Sequence, residues 1–213
     1  MATMCALFVK ASGDICVMDS SQFPSFRQAI ERMLPMSDEV FSMILPELRE
    51  RRLKKGECFA TEGKMSSEIG FVLEGNMRHF YTLDGEEKTT YFYFENHFVA
   101  SYISCIRKEP SSLTIEALSD CRLLVFPYTA LQDLYERSQH WERFGRLMAE
   151  YLAAGLEERM AGLLMLSPEE RYQTLLQSNK QKIIERIPQH YIASYLGITP
   201  VSLSRIRNRL MKK

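Results

Sequence analysis

The stretch at 189–208, Q-H-Y-I-A-S-Y-L-G-I-T-P-V-S-L-S-R-I-R-N, concentrates side chains suited to reading a polar, anionic surface. A guanidinium at Arg205 can donate two hydrogen bonds to guanine O6 and N7, and Val201 can meet a thymine methyl. Thr199 and Ser202 add hydroxyls for base edges. Ser204, Arg207, Asn208, Arg209, Lys212 and Lys213 suit backbone phosphates. Such groups work only on a rigid support, and the spacing supplies one. Ile192, Ala193 and Leu196 share the inner face of a first helix, with alanine where a second helix must cross closely. Gly197 stands at the bend, where a left-handed backbone costs glycine little. Ile198 plugs the corner, Thr199 caps and Pro200 opens the second helix, and Leu203 and Ile206 turn inward. This is a helix-turn-helix pattern, and it predicts insertion of the second helix into a DNA major groove, N-terminal end first.

Further elements must carry that reader. Ser167 followed by Pro168, Glu169 and Glu170 predicts a capped helix running to about 178. Before it a long helix is expected over 139–166. Phe144, Leu147, Tyr151 and Ala154 form one apolar stripe on it; Met148, Leu152, Leu156, Met160 and Leu163 form an adjoining one. One stripe is expected to cover a neighbouring domain. The other is expected to meet a second copy of the chain, with Phe144, Leu147, Met148, Tyr151, Leu152 and Gly155 as the dimer helix and 153–155 small enough for close approach.

From 51 to 127 the rhythm is that of short strands parted by turns. Leu83-Asp84-Gly85-Glu86 is a hairpin signal, because Asp-Gly accepts the positive φ angles of a tight turn. The run at 89–94, T-T-Y-F-Y-F, reads as a half-buried strand. Many short strands predict an antiparallel barrel or jelly roll. Residues 22–48 are helical in pattern, broken at Pro35, with Ser37 before Asp38 and Glu39 as a helix start. The fold class is therefore α+β.

Five scattered cysteines lack zinc-site spacing and are odd in number, which predicts reduced thiols and no metal or cofactor. Cys5 and Cys16 are too sparse for an iron–sulfur centre. His79 and His97 read as ordinary strand and loop residues rather than haem ligands. No apolar run approaches the ~20 residues of a membrane span, so no membrane partner and a cytoplasmic location are expected. Residues 1–17 read as an upstream extension rather than as a signal peptide.

Strands, a long helix and a helix-turn-helix in this order resemble the Crp/Fnr superfamily of bacterial transcription regulators over 20–213. The motif at 192–207 and the glycines Gly56, Gly63, Gly75 and Gly85 carry the resemblance. The Tyr-Leu-Gly-Ile-Thr-Pro wording is similar to the Bacteroidetes branch. The resemblance implies an N-terminal extension (1–20), a cyclic-nucleotide-binding-like β-roll sensor (21–137), a dimerisation helix (138–166) and a DNA-binding domain (167–213). It implies a homodimer on a double-stranded DNA operator, RNA polymerase as a further partner, and no catalysis. It also implies a small-molecule effector. Cyclic-nucleotide-binding relatives hold the ribose with a glycine–glutamate pair and the phosphate with an arginine. Here those places read Ala100-Ser101 and, near 112–114, Ser-Leu-Thr, so the effector expected is not a cyclic nucleotide. Two other readings compete. One is a β-roll interaction module whose helical tail ignores DNA. The other is a cupin-like enzyme, which the lack of an H-x-H pair beside a spaced acid disfavours.

Charge supports the reader. The chain holds 27 Lys+Arg against 27 Asp+Glu, which alone argues against a nucleic-acid partner. Yet 168–213 holds nine basic and three acidic residues, a net +6 that the remainder cancels. The neutral total hides a basic reader joined to an acidic sensor.

Overall fold

The computed structural model describes residues 23–177 and 181–211. The expectations for 1–17, for the helix end at 178–180 and for Lys212 and Lys213 lie outside these residues. In the sensor, α1 (Pro24–Glu31) buries Phe26 and Ile30 four residues apart, and α2 (Asp38–Ser42) buries Phe41. The Ser37 hydroxyl caps α2 by accepting from the Val40 N–H at 3.3 Å, and Asp38 and Glu39 occupy its first turn.

Eight strands follow: β1 (Arg49–Leu53), β2 (Cys58–Ala60), β3 (Glu68–Glu74), β4 (Met77–Leu83), β5 (Glu86–Tyr93), β6 (Phe98–Val99), β7 (Thr114–Ala117) and β8 (Cys121–Pro127). They form two four-stranded antiparallel sheets, ordered β1-β8-β3-β6 and β2-β7-β4-β5. The hairpin joining β4 to β5 turns on Asp84 and Gly85 at φ +52° and +77°, the pair of positive angles that Asp-Gly predicts.

Alternation along β8 assigns the layers. Leu123 and Val125 point between the sheets with Val72, Met77, Tyr93, Val99 and Ile115. Leu124 and Phe126 point outward with Ile69 and Phe71 of β3, beneath α1, α2, α4 (Tyr128–Arg137) and the start of α5 (Gln139–Met165). The second sheet departs from expectation at β5. Instead of one buried face it has two: Tyr93 faces the sandwich interior, whereas Phe92 and Phe94 face the C-terminal helices. An aromatic run on both parities is what a strand covered on both sides requires.

The long helix α5 spans 27 residues. Its two stripes separate along its length and not only around its girth. Phe144, expected on the dimer helix, is instead buried beside Trp141 in the chain's own core, and Leu147 and Met148 are half-buried against that core. Tyr151, Leu152, Leu156, Met160, Leu163 and Leu164 are exposed, and a side chain at Gly155 would meet nothing within 4 Å. The exposed apolar surface of α5 therefore begins near Tyr151. Among the described residues no helix is long and apolar enough to cross a membrane.

Candidate nucleic-acid interface

The C-terminal helices are α6 (Pro168–Gln177), α7 (Gln181–Arg186), α8 (Gln189–Tyr195) and α9 (Pro200–Leu210). Ser167 and Glu170 cap α6 reciprocally: the Glu170 carboxylate accepts from the Ser167 N–H at 2.8 Å, and the Ser167 hydroxyl accepts from the Glu170 N–H at 3.3 Å. The bend between α8 and α9 is a Schellman turn. The Ile198 N–H reaches the Ala193 carbonyl at 3.0 Å, the Gly197 N–H reaches that of Ser194 at 2.9 Å, and Gly197 has φ +69°. Ile192, Ala193, Leu196, Leu203 and Ile206 are buried in one core, with Ile198 half-buried against it. Gly197 itself is exposed, its role being backbone conformation.

On α9, Thr199 caps the helix by accepting from the Ser202 N–H at 3.2 Å, and its hydroxyl lies 3.0 Å from that of Ser202. Both predicted base-reading hydroxyls are thus engaged with each other in the free chain. Val201, Ser204, Arg205 and Asn208 are exposed; Arg207 is half-buried. Arg209 is exposed too, but its guanidinium is 2.9 Å from the Glu169 carboxylate of α6. A groove of about 380 Å³ separates α6 from α9, lined by Ser167, Glu169, Ser202, Arg205 and Arg209, among others.

The C-terminal helices are seated on the β-sandwich by residues that local sequence reasoning missed. The Ser194 hydroxyl donates to the Glu87 carbonyl at 3.0 Å and accepts from the Thr89 N–H at 2.9 Å, which fixes α8 on β5. Arg78 is buried between the rings of Phe80 and Tyr191, each 4.0 Å away, and pairs with Glu87 at 2.6 Å and Glu116 at 2.7 Å. Glu95 accepts from Lys182 at 2.8 Å and Arg186 at 2.6 Å. Burial alone would raise this carboxyl, but the two cations outweigh it and hold it below its usual range. Arg171 donates to the carbonyls of Leu166 at 2.7 Å and Leu196 at 3.0 Å, joining the end of α5 to the helix-turn-helix corner. Arg159 of α5 donates to the Tyr195 carbonyl. The one legible trace of this docking is the doubled aromatic face of β5.

The segment matching the family's cassette joins β6 to β7 through α3 (Tyr102–Arg107). Its interior is closed by neutral hydroxyls. Ser101 and Ser111 are buried with their oxygens 2.8 Å apart, and Ser111 also donates to the Leu113 carbonyl at 2.7 Å. Ser104, also buried, donates to the Glu109 carbonyl at 2.5 Å and accepts from the Ser66 N–H at 3.1 Å. Ser111, one residue before the expected 112–114, thus faces Ser101 across the cassette. Arg107 is exposed on the outer side. His79 sits against Tyr93, its Nδ1 3.3 Å from the phenol oxygen, and burial pushes its imidazole down to about 4. Burial also lowers His97. Among the described residues no three His, Cys, Asp or Glu gather as metal ligands, and Cys58, Cys105 and Cys121 are free thiols.

Residues 50–138 match the cyclic nucleotide-binding domain family. The fold is similar to that of FixK2 from Bradyrhizobium japonicum, at 21% identity over 78% of this chain and 85% of that one, with a TM-score of 0.64. It is similar to the catabolite activator protein of Thermus thermophilus, at 22% identity over 86% and 87%, with a TM-score of 0.54. A Eubacterium rectale protein described as a regulator of the Crp/Fnr family matches at 21% over 83% and 84%, with a TM-score of 0.64. The chain has the Crp/Fnr fold. No curated protein matches it by sequence. The Crp/Fnr order of β-roll, long helix and C-terminal helices agrees with the α+β expectation.

Proposed function

We propose that this Crp/Fnr-fold chain is a dimeric, sequence-specific DNA-binding transcription regulator. The observation that carries the reading is α9: its inner face is locked by Leu203 and Ile206, while Val201, Ser204, Arg205 and Asn208 stand free along the outer face. That division suits a helix entering a major groove. Arg205 and Val201 read bases, with Thr199 and Ser202 at the entering end. Ser204, Arg207, Asn208 and Lys212 meet phosphates. The exposed half of α5 joins two copies, so that two reading helices address one operator. Transcription regulation, the role ascribed to the Eubacterium rectale neighbour, supports the same reading, with operator DNA and RNA polymerase as partners in the cytoplasm. Arg205→Ala is expected to fold normally and to lose about 1–3 kcal/mol of affinity confined to one base-pair position of each half-site. Fluorescence anisotropy against operator variants measures this; unchanged affinity would remove Arg205 from the base-reading face.

The sensor, on this reading, does not answer to cyclic nucleotides. A phosphate in the cassette would displace the Ser101–Ser111 hydrogen bond and meet neutral hydroxyls where the relatives place an arginine, and Arg107 is exposed. Taking an ion from water without a countercharge costs several kcal/mol. Micromolar cyclic AMP is therefore expected to leave the melting temperature unchanged, and a rise of several degrees would overturn the assignment.

A further inference from the structure

We propose that Glu169 restrains sequence-independent DNA binding by holding Arg209 away from the phosphate backbone. The proposal rests on the DNA-binding reading above and concerns the flank of the reading helix. Ser202, Arg205 and Arg209 lie at i, i+3 and i+7 on α9, on the side that faces the start of α6 across the groove. When α9 enters a major groove, a DNA strand must run along such a flank. Three features there would attract phosphate: the Arg205 and Arg209 guanidiniums and the amide-rich first turn of the ten-residue helix α6.

Glu169 opposes two of them, the Arg209 guanidinium and the first turn of α6. Its carboxylate is in the first turn of α6, is three-quarters buried, and takes the Arg209 guanidinium at 2.9 Å. Arg209 keeps 64% of its side chain exposed, so solvent weakens the pair and the restraint is of modest size. Glu170, the other first-turn acid, is occupied by the Ser167 cap. Among the described residues, the arrangement leaves Arg205 as the free cation on this flank and makes affinity depend more on base contact than on charge. A cation committed to an acid within its own chain releases fewer counterions on binding DNA.

The test compares wild type, Glu169→Gln and Arg209→Gln on a random-sequence duplex and on a selected operator, by anisotropy across a potassium chloride series. Glu169→Gln is expected to bind random duplex roughly three- to tenfold more tightly near 0.1 M salt. Its plot of log affinity against log salt should steepen by about 0.9 per protomer. Arg209→Gln alone is expected to change affinity less than about twofold, because the guanidinium is already engaged. Melting temperatures monitor folding. If Glu169→Gln weakens binding or leaves the slope unchanged, or if Arg209→Gln flattens it by a full contact, Glu169 instead positions Arg209 for phosphate, and the restraint is overturned. A wild-type chain that binds neither duplex overturns the DNA-binding reading and the restraint with it.

Discussion

A chain carrying Leu156→Glu is expected to sediment as a monomer and to lose about 100-fold or more of its operator affinity, with the sensor still folded. Leu156 is 70% exposed in the middle of a surface formed by Tyr151, Leu152, Met160 and Leu163. Spacings of four, four and three residues from Leu152 to Leu163 keep these side chains on one seam of α5. Isolated apolar residues on a surface need no explanation, but a contiguous seam of this length is what the proposed dimer would bury. Gly155 leaves the opposing backbone room to approach. A carboxylate at 156 would be desolvated against its own copy across a two-fold axis, where like charges meet. The affinity loss follows because two linked readers gain about 10² to 10⁴ from effective concentration, which a monomer forfeits. Sedimentation velocity and anisotropy read the two effects. A variant that stays dimeric would place the subunit contact elsewhere.

Trp141→Ala is expected to lower the unfolding free energy by about 3–5 kcal/mol, the upper range for core truncations. Trp141 is 1% exposed, and its ring meets Phe144 edge-on with centroids 5.7 Å apart. Its indole N–H donates to the Val40 carbonyl at 2.9 Å, across 101 residues of sequence. Truncation opens a cavity at the root of α5 and leaves that carbonyl without its donor. Trp141→Phe keeps much of the volume and should cost less. Urea unfolding followed by circular dichroism measures both; a loss under about 1 kcal/mol for alanine would mean that this junction contributes little.

Signals contained within a few residues were readable in the sequence. The caps at Ser37, Ser167 and Thr199, the Asp84-Gly85 turn and the Gly197 corner each depend on atoms three to five positions apart, so residue type and spacing suffice. Faces were harder. A stripe on α5 states that a surface is apolar but not what covers it, and Phe144 turned toward Phe98 and Trp141 rather than toward a partner. The same limit applies at β5, whose second face is buried by helices about 80 to 115 residues later in the chain. Ion pairs lay furthest out of reach. Glu95 with Lys182, Arg78 with Glu116 and Glu169 with Arg209 join segments that only the tertiary fold brings together. Hence Arg209, which composition marks as a phosphate ligand, is engaged in the free chain. The excess of basic residues over 168–213 is a count, and Arg209 shows that not every cation in it is unpaired.

The most direct measurement is selection of bound fragments from random double-stranded DNA by the purified full-length chain. The predicted outcome is a motif with two-fold symmetry whose half-site centres lie about one helical turn, 10–10.5 base pairs, apart. No enrichment over input, or an asymmetric motif without a second half-site, would contradict the account of a dimeric DNA reader.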